Sequence, residues 1–160
     1  MKKILLTAII AVLSVSAFAQ TGKSLYEKYS DLEGVEAVYI SPAMFKMIGR
    51  ISIDTKDQDN VDISNIIRSL KGMYILNIPN SGAASRLASE AAGLIRKGNY
   101  ELLMEAKDSG DRMQMFTSGD DNIIRSFIML NTDGDETSFI CFDGEIVRED
   151  FENVVVNSNF

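Results

Sequence analysis

The sequence predicts an α+β fold: a mostly antiparallel sheet that includes a C-terminal four-strand meander, with helices packed on one face. Three observations predict it. Apolar residues recur at helical spacing in the first half of the chain, most clearly over Ser81 to Lys97. From Tyr100 onward the period drops to two, the repeat of a strand. Short clusters of Asp, Gly, Ser and Thr then divide the second half into four segments, as turns between paired strands do.

The chain opens on Lys2 and Lys3, followed by an apolar run from Ile4 to Leu13. That run is too short to span a bilayer but long enough to engage export machinery. Ala17-Phe18-Ala19 supplies the small residues that a signal peptidase accepts, so cleavage is expected between Ala19 and Gln20. No Cys stands at the cleavage point to receive a lipid. The expected organisation is a signal peptide over 1–19 and one α+β domain over 20–160. The 141 residues left after removal of 19 from 160 are enough for one core.

Ser24-Leu25-Tyr26-Glu27 reads as a capping box that starts a helix ending near Tyr29. Val35 to Ile40 is rich in β-branched and aromatic residues and reads as a largely buried strand. Ser41-Pro42 starts a helix with Met44, Phe45 and Ile48 on one face and Gly49 as its stop. After the polar stretch Lys56 to Asn60, Asp62-Ile63-Ser64 opens a helix that carries Ile66, Ile67 and Leu70 and stops at Gly72. Met73 to Ile78 is nearly all apolar and reads as a strand buried on both faces. Ser81 caps the clearest helix, whose inner stripe is Ala84, Leu87, Ala88, Ala91, Leu94 and Ile95, and Gly98 is expected as its left-handed end.

In the meander, Tyr100 to Lys107 alternates and Asp108-Ser109-Gly110-Asp111 turns it into Arg112 to Thr117. Gly119-Asp120-Asp121 leads to Ile123 to Leu130, and Thr132-Asp133-Gly134-Asp135 to Thr137 to Phe142. The last two strands are apolar on both faces, which places them centrally or under the helices. Asp150 to Val156 is a further short helix or strand. Tyr39, Phe45, Leu87, Ile128 and Phe139 are expected to share one core.

Composition excludes several chemistries. There is no His, which removes Ser-His-Asp and Cys-His catalysis and His-ligated zinc or copper. The net charge of −7 becomes −9 when Lys2 and Lys3 leave with the leader, so nucleic acid is not an expected partner. Cys141 is the single cysteine and reads as an inert buried thiol, with no partner for an intramolecular disulfide. No second apolar stretch is long enough to cross a membrane. No cofactor and no metal are expected.

Each motif has a structural explanation. Asn131-Thr132-Asp133-Gly134-Asp135 spaces oxygen ligands like a calcium loop, but its Gly is fourth rather than sixth and Phe142 stands where a bidentate Glu is needed, so a hairpin turn is expected. Asn80-Ser81-Gly82 precedes a helix N-terminus but fits neither phosphate-loop pattern, so it reads as a cap. Met44, Met47, Met104, Met113, Met115 and Met129 fall on apolar faces and read as core filler, with a Met-rich recognition surface as the alternative. The many carboxylates sit mainly at turns and on polar faces, and Trp, the best sugar-stacking side chain, is absent.

The segments LYEKYSDLEGVEAVYISPAMFKMI, NYELLMEAKDSGDRMQMF and FIMLNTDGDETSFICFDGEI resemble a family of small exported bacterial proteins known as domain of unknown function 4252. The likeness runs from about Leu25 to Ile146 and rests mostly on packing positions. It implies the fold and export, and carries over no catalytic or binding residue. Relatives encoded beside extracytoplasmic sigma-factor genes imply an envelope role, in sensing or stress.

The leading expectation is thus a periplasmic or secreted, non-enzymatic protein that binds an envelope protein or a small apolar ligand through its sheet face or a groove beside the helices. Two other classes stay open. One is an exported enzyme using carboxylates or a Ser-Lys pair, its catalytic residues unknown. The other is a structural component that self-associates through a strand edge.

Overall fold

The computed structural model describes residues 21–51 and 63–157. The leader, the Ala19-Gln20 cleavage point, the stretch Lys56 to Asn60 and Asp62 lie outside the described residues. Within them the chain forms a six-stranded, wholly antiparallel sheet and five helices.

Helix α1 spans Gly22–Tyr29. Its N-cap is Thr21, not Ser24: the Thr21 hydroxyl accepts from the Ser24 N–H at 3.2 Å while Ser24 Oγ accepts from the Thr21 N–H at 2.9 Å. The capping box exists one turn earlier than expected, because an extended Thr supplies the same oxygen as Ser. The extra turn places Gly22, Leu25 and Tyr29 on one buried face.

Strand β1, Glu36–Ile40, is the edge of the sheet and is mostly exposed, not buried. Tyr39, expected in the core, is 48% exposed. With a neighbour on one side only, its ring lies over Tyr74 at 5.3 Å between centroids, with Tyr26 of α1 beside both.

Helix α2, Pro42–Ile51, passes through Gly49 instead of stopping there. Gly49 is buried, and a Cβ on it would lie 2.7 Å from Cγ of Arg68 in α3, Ser64–Ser69. The glycine lets two helices approach rather than ending one. Leu70 and Gly72 likewise belong not to α3 but to β2, Leu70–Pro79, which pairs with the last strand from Leu70 opposite Gly144. In β2, Tyr74, Leu76 and Ile78 are buried while Met73, Ile75 and Asn77 on the other face stay part-exposed, so the strand is buried on one side only.

Helix α4, Gly82–Lys97, is capped by Ser81, whose hydroxyl accepts from the Ala84 N–H at 3.3 Å. Ser81→Ala is expected to cost about 0.5–2 kcal/mol, read as a shifted urea midpoint with an unchanged slope. The helix end differs from expectation. Gly98 has φ −87° and the left-handed residue is Asn99 at φ 52°, with the Tyr100 N–H reaching the Ile95 carbonyl at 3.3 Å. This closure is one residue longer than the helical bond, and in it Asn substitutes for Gly.

The meander forms as expected: β3 Glu101–Asp108, β4 Asp111–Gly119, β5 Ile123–Thr132 and β6 Glu136–Val147. Ser109 and Gly110, at φ 50° and 109°, form the two-residue turn whose twist suits a hairpin. The sheet order is β1-β2-β6-β5-β4-β3, so the most apolar strands are central. Helix α5, Arg148–Asn157, follows β6 directly.

Helices α1 and α4 cover one face, and between them and the sheet lies the core: Leu25, Tyr29, Leu76, Leu87, Leu94, Ile128, Phe139 and their neighbours. Leu87, Ile128 and Phe139 are fully buried there, whereas Phe45 is buried outside this cluster. Helices α2, α3 and α5 gather where β1 ends, β2 begins and β6 ends.

Candidate functional site

The sheet has a second face that carries none of the core. Strand alternation and register put Val38, Ile75, Ile140, Met129, Met115 and Met104 in one row across all six strands. A neighbouring row runs Ile40, Met73, Phe142, Phe127 and Thr117, with the two Phe rings stacked at 4.7 Å. Every apolar side chain of the two rows is part-exposed or exposed, Val38 and Met104 at 48% and 42%.

The core-filler reading of the methionines is therefore corrected. Met104, Met113, Met115 and Met129 lie on this open face because the alternate residues of β4 and β5, Phe116, Ile128 and Leu130, already occupy the core. Met44 and Met47 are exposed on α2.

The β3–β4 hairpin shows that this face is not patterned for water. On its helix side, beyond the core, Glu105 accepts from Arg112 at 2.6 and 2.9 Å and from Gln114 at 2.9 Å, and pairs with Lys107 at 2.7 Å. These cations hold the Glu105 carboxyl below its usual range, Lys107 foremost. On the other side of the same hairpin stand Met104, Ala106, Met113 and Met115. One side is a solvated network, while the other presents soft, adaptable thioethers.

On the helix-covered side of the sheet runs a line of polar groups that the sequence did not flag, with Cys141 against Gly22 of α1. Tyr100 Oη donates to Ser126 Oγ at 2.8 Å, Ser126 Oγ lies 3.7 Å from Cys141 Sγ, and the thiol points to Asp143 Oδ1 at 3.9 Å. The only signal in the sequence was a Ser and an Asp at inward positions of apolar strands. The Cys141 thiol is buried, and burial, with the Asp143 charge, pushes its pKa far up, which denies it thiolate character. Burial pushes Tyr74 up to about 12. Burial also raises Asp143 above the ordinary carboxylate range.

A group raised by folding contributes stability below its unfolded pKa and loses it as pH rises through the folded value. Asp143→Asn, permanently uncharged, escapes that loss. The expected result is that the variant and the parent melt alike in acid, with the variant progressively more stable as pH rises toward neutrality. Equal pH profiles would contradict the assignment.

A polar cleft of about 310 Å³ lies at one end of the sheet, lined in part by Glu101, Thr117, Asp120, Asp121 and Arg148. Its chemistry is committed to folding. Asp120 accepts from the N–H groups of Asn122 and Ile123 at 3.0 and 2.9 Å and pairs with Arg125 at 2.8 Å, which hold its carboxyl low. Arg148 donates to the Asp120 carbonyl. Thr117 donates to the Ser126 carbonyl at 3.3 Å. The cleft thus supplies an ionised carboxylate held by its own turn.

The two loop motifs serve the fold. Asp133 Oδ1 accepts from the N–H groups of Asp135 and Glu136, both at 2.8 Å, and Oδ2 from Asn131 at 3.2 Å, so both carboxylate oxygens build the hairpin turn. Asn80 ties the start of α4 to that turn, its side chain donating to the Gly134 carbonyl at 2.9 Å.

No helix among the described residues is long and apolar enough to cross a membrane. No curated protein and no solved structure matches the chain. Residues 28–154 match a family model described as a domain of unknown function (DUF4252), which covers the whole sheet and helix α4 but only the last two residues of α1. The chain belongs to the DUF4252 family.

Proposed function

We propose that this protein is an exported, non-enzymatic protein of the bacterial envelope that binds another protein, or a small apolar ligand, through the open face of its sheet. The observation that carries the reading is the apolar row from Val38 to Met104 across six strands, left part-exposed while the hairpin's other side is charged. A contiguous exposed apolar surface on a folded domain marks an interaction site. Its breadth across six strands favours a protein over a small ligand, which needs enclosure to bury its surface. Export is supported by the Lys2-Lys3 start, the apolar run and the Ala-x-Ala ending at Ala19.

The test is genetic. In a strain lacking the gene, Met129→Asp is expected to abolish complementation while its melting temperature stays near that of the parent, and Cys141→Ala and Asp143→Asn are expected to complement. The reverse pattern would favour an enzyme built on the Ser126, Cys141 and Asp143 group.

One observation favours self-association instead. Edge strand β3 is exposed along its whole length, with Leu102, Leu103 and Met104 outermost. A bulge between Leu102 and Met104 interrupts its pairing geometry, however, which is how edges are protected from adding strands.

A further inference from the structure

This inference rests on the open face being a docking surface. The border of that face is acidic. Alternation puts Glu36 of β1, Glu136 of β6, Asp108 and Asp111 at the β3–β4 turn, and Glu101 of β3 on the same side as the methionines. None of the five forms an ion pair with a described residue. The cations on the same side by alternation are already held, Arg125 by Asp120 at 2.8 Å and Lys71 by Glu145 at 2.6 Å. The surface is thus an apolar, methionine-rich centre with an acidic border: Glu36, Glu136, Asp108 and Asp111 lie along one end of the strands and Glu101 at the other end of β3, with Asp108 and Glu136 accepting from the Ser109 and Ser138 hydroxyls.

We propose that the occupant is a basic amphipathic segment of a partner protein: an apolar stripe to cover the Met and Phe rows, flanked by Lys or Arg to meet the acidic border. The two features select the same class of ligand. Thioethers repack around varied apolar side chains, while carboxylates at the rim set orientation and exclude acidic partners. The acidic border also disfavours a second copy, since face-to-face packing brings like charges together. An anionic lipid surface is repelled for the same reason.

The test uses the mature chain and two synthetic peptides of about twenty residues, one with Leu on one helical face and Lys on the other, the second with Glu in place of Lys. Calorimetry is expected to show binding of the Lys peptide, weakened by salt, and none of the Glu peptide. Glu36→Gln, Glu101→Gln and Glu136→Gln combined should weaken the Lys peptide about tenfold or more and flatten the salt dependence. Met129→Asp should remove binding, and Val38→Asp, at an exposed edge position, does the same where Met129→Asp fails to fold.

Equal binding of both peptides, binding of neither, or indifference to the three Gln substitutions overturns the inference. So does a dimer in sedimentation that Met129→Asp dissociates, because the face then belongs to a second copy. If the peptides fail while Met129→Asp still abolishes complementation, only the basic occupant is wrong. If Met129→Asp complements fully, the docking face itself is wrong.

Discussion

Truncating Phe139 to Ala is expected to destabilise the protein by about 3–5 kcal/mol, the usual loss when a buried aromatic leaves a cavity. Phe139 is fully buried at the centre of the sheet, with Leu76 and Leu130 as its register neighbours on β2 and β5. Helix α1 closes over it, so no loop can collapse into the space. The loss is a large part of the roughly 5–15 kcal/mol available to a domain. Urea titration should show a much lower midpoint, and binding at the open face should survive wherever the variant remains folded, because Phe139 points away from that face. A loss below about 1 kcal/mol would mean that the core is not organised around β6.

Gly119→Ala is expected to be the most damaging small substitution. Gly119 ends β4 at a register shift against β5, with φ at 156°, and a Cβ there would run into the carbonyl oxygen of Ile123. The obstacle is backbone, which cannot rotate aside. Overpacking costs about 1–3 kcal/mol. The backbone conformation, which L side chains rarely adopt, adds about 1–3 kcal/mol. The change should also disorder the Asp120 turn, seen as faster amide exchange of Asn122 and Ile123, whose N–H groups the Asp120 carboxylate holds. Unchanged exchange and stability would show that the turn is not fixed by this glycine.

Much of the fold was legible because it follows from local rules. The meander could be read from its turns, where Ser109-Gly110 and the Asp133 loop each have a backbone reason for their residues. Helix α4 could be read from its stripe and from Ser81. What failed depended on neighbours in space. Tyr39 was expected in the core because β1 is apolar, yet nothing in its own residues says that it is an edge strand. Gly49 looked like a helix stop and is a contact point for Arg68, a role visible only once α3 packs on α2.

The candidate site was half legible. The sheet face was among the expected binding surfaces, but the methionines that make it were assigned to the core. A strand that is apolar on both sides has the same sequence whether its second side meets a helix or a ligand. The charged side of the β3–β4 hairpin resolves the ambiguity, since Glu105, Arg112 and Gln114 show what an uncovered side of these strands looks like when it is meant for water. The Tyr100, Ser126, Cys141 and Asp143 line escaped notice because Tyr100 precedes β3, Ser126 lies in β5 and Cys141 and Asp143 in β6, and the three segments meet only through the folded sheet.

The most direct test of the central claim, that the open face is covered by a partner in the envelope, is oxidative footprinting of methionine in intact cells against the purified protein. Thioether oxidation follows exposure, and Met44 and Met47 on α2 provide an internal standard outside the face. The account predicts that Met104, Met113, Met115 and Met129 oxidise in the purified protein and are protected in cells, with Met44 and Met47 oxidised in both. Equal oxidation of the four open-face methionines in cells and in isolation would contradict it.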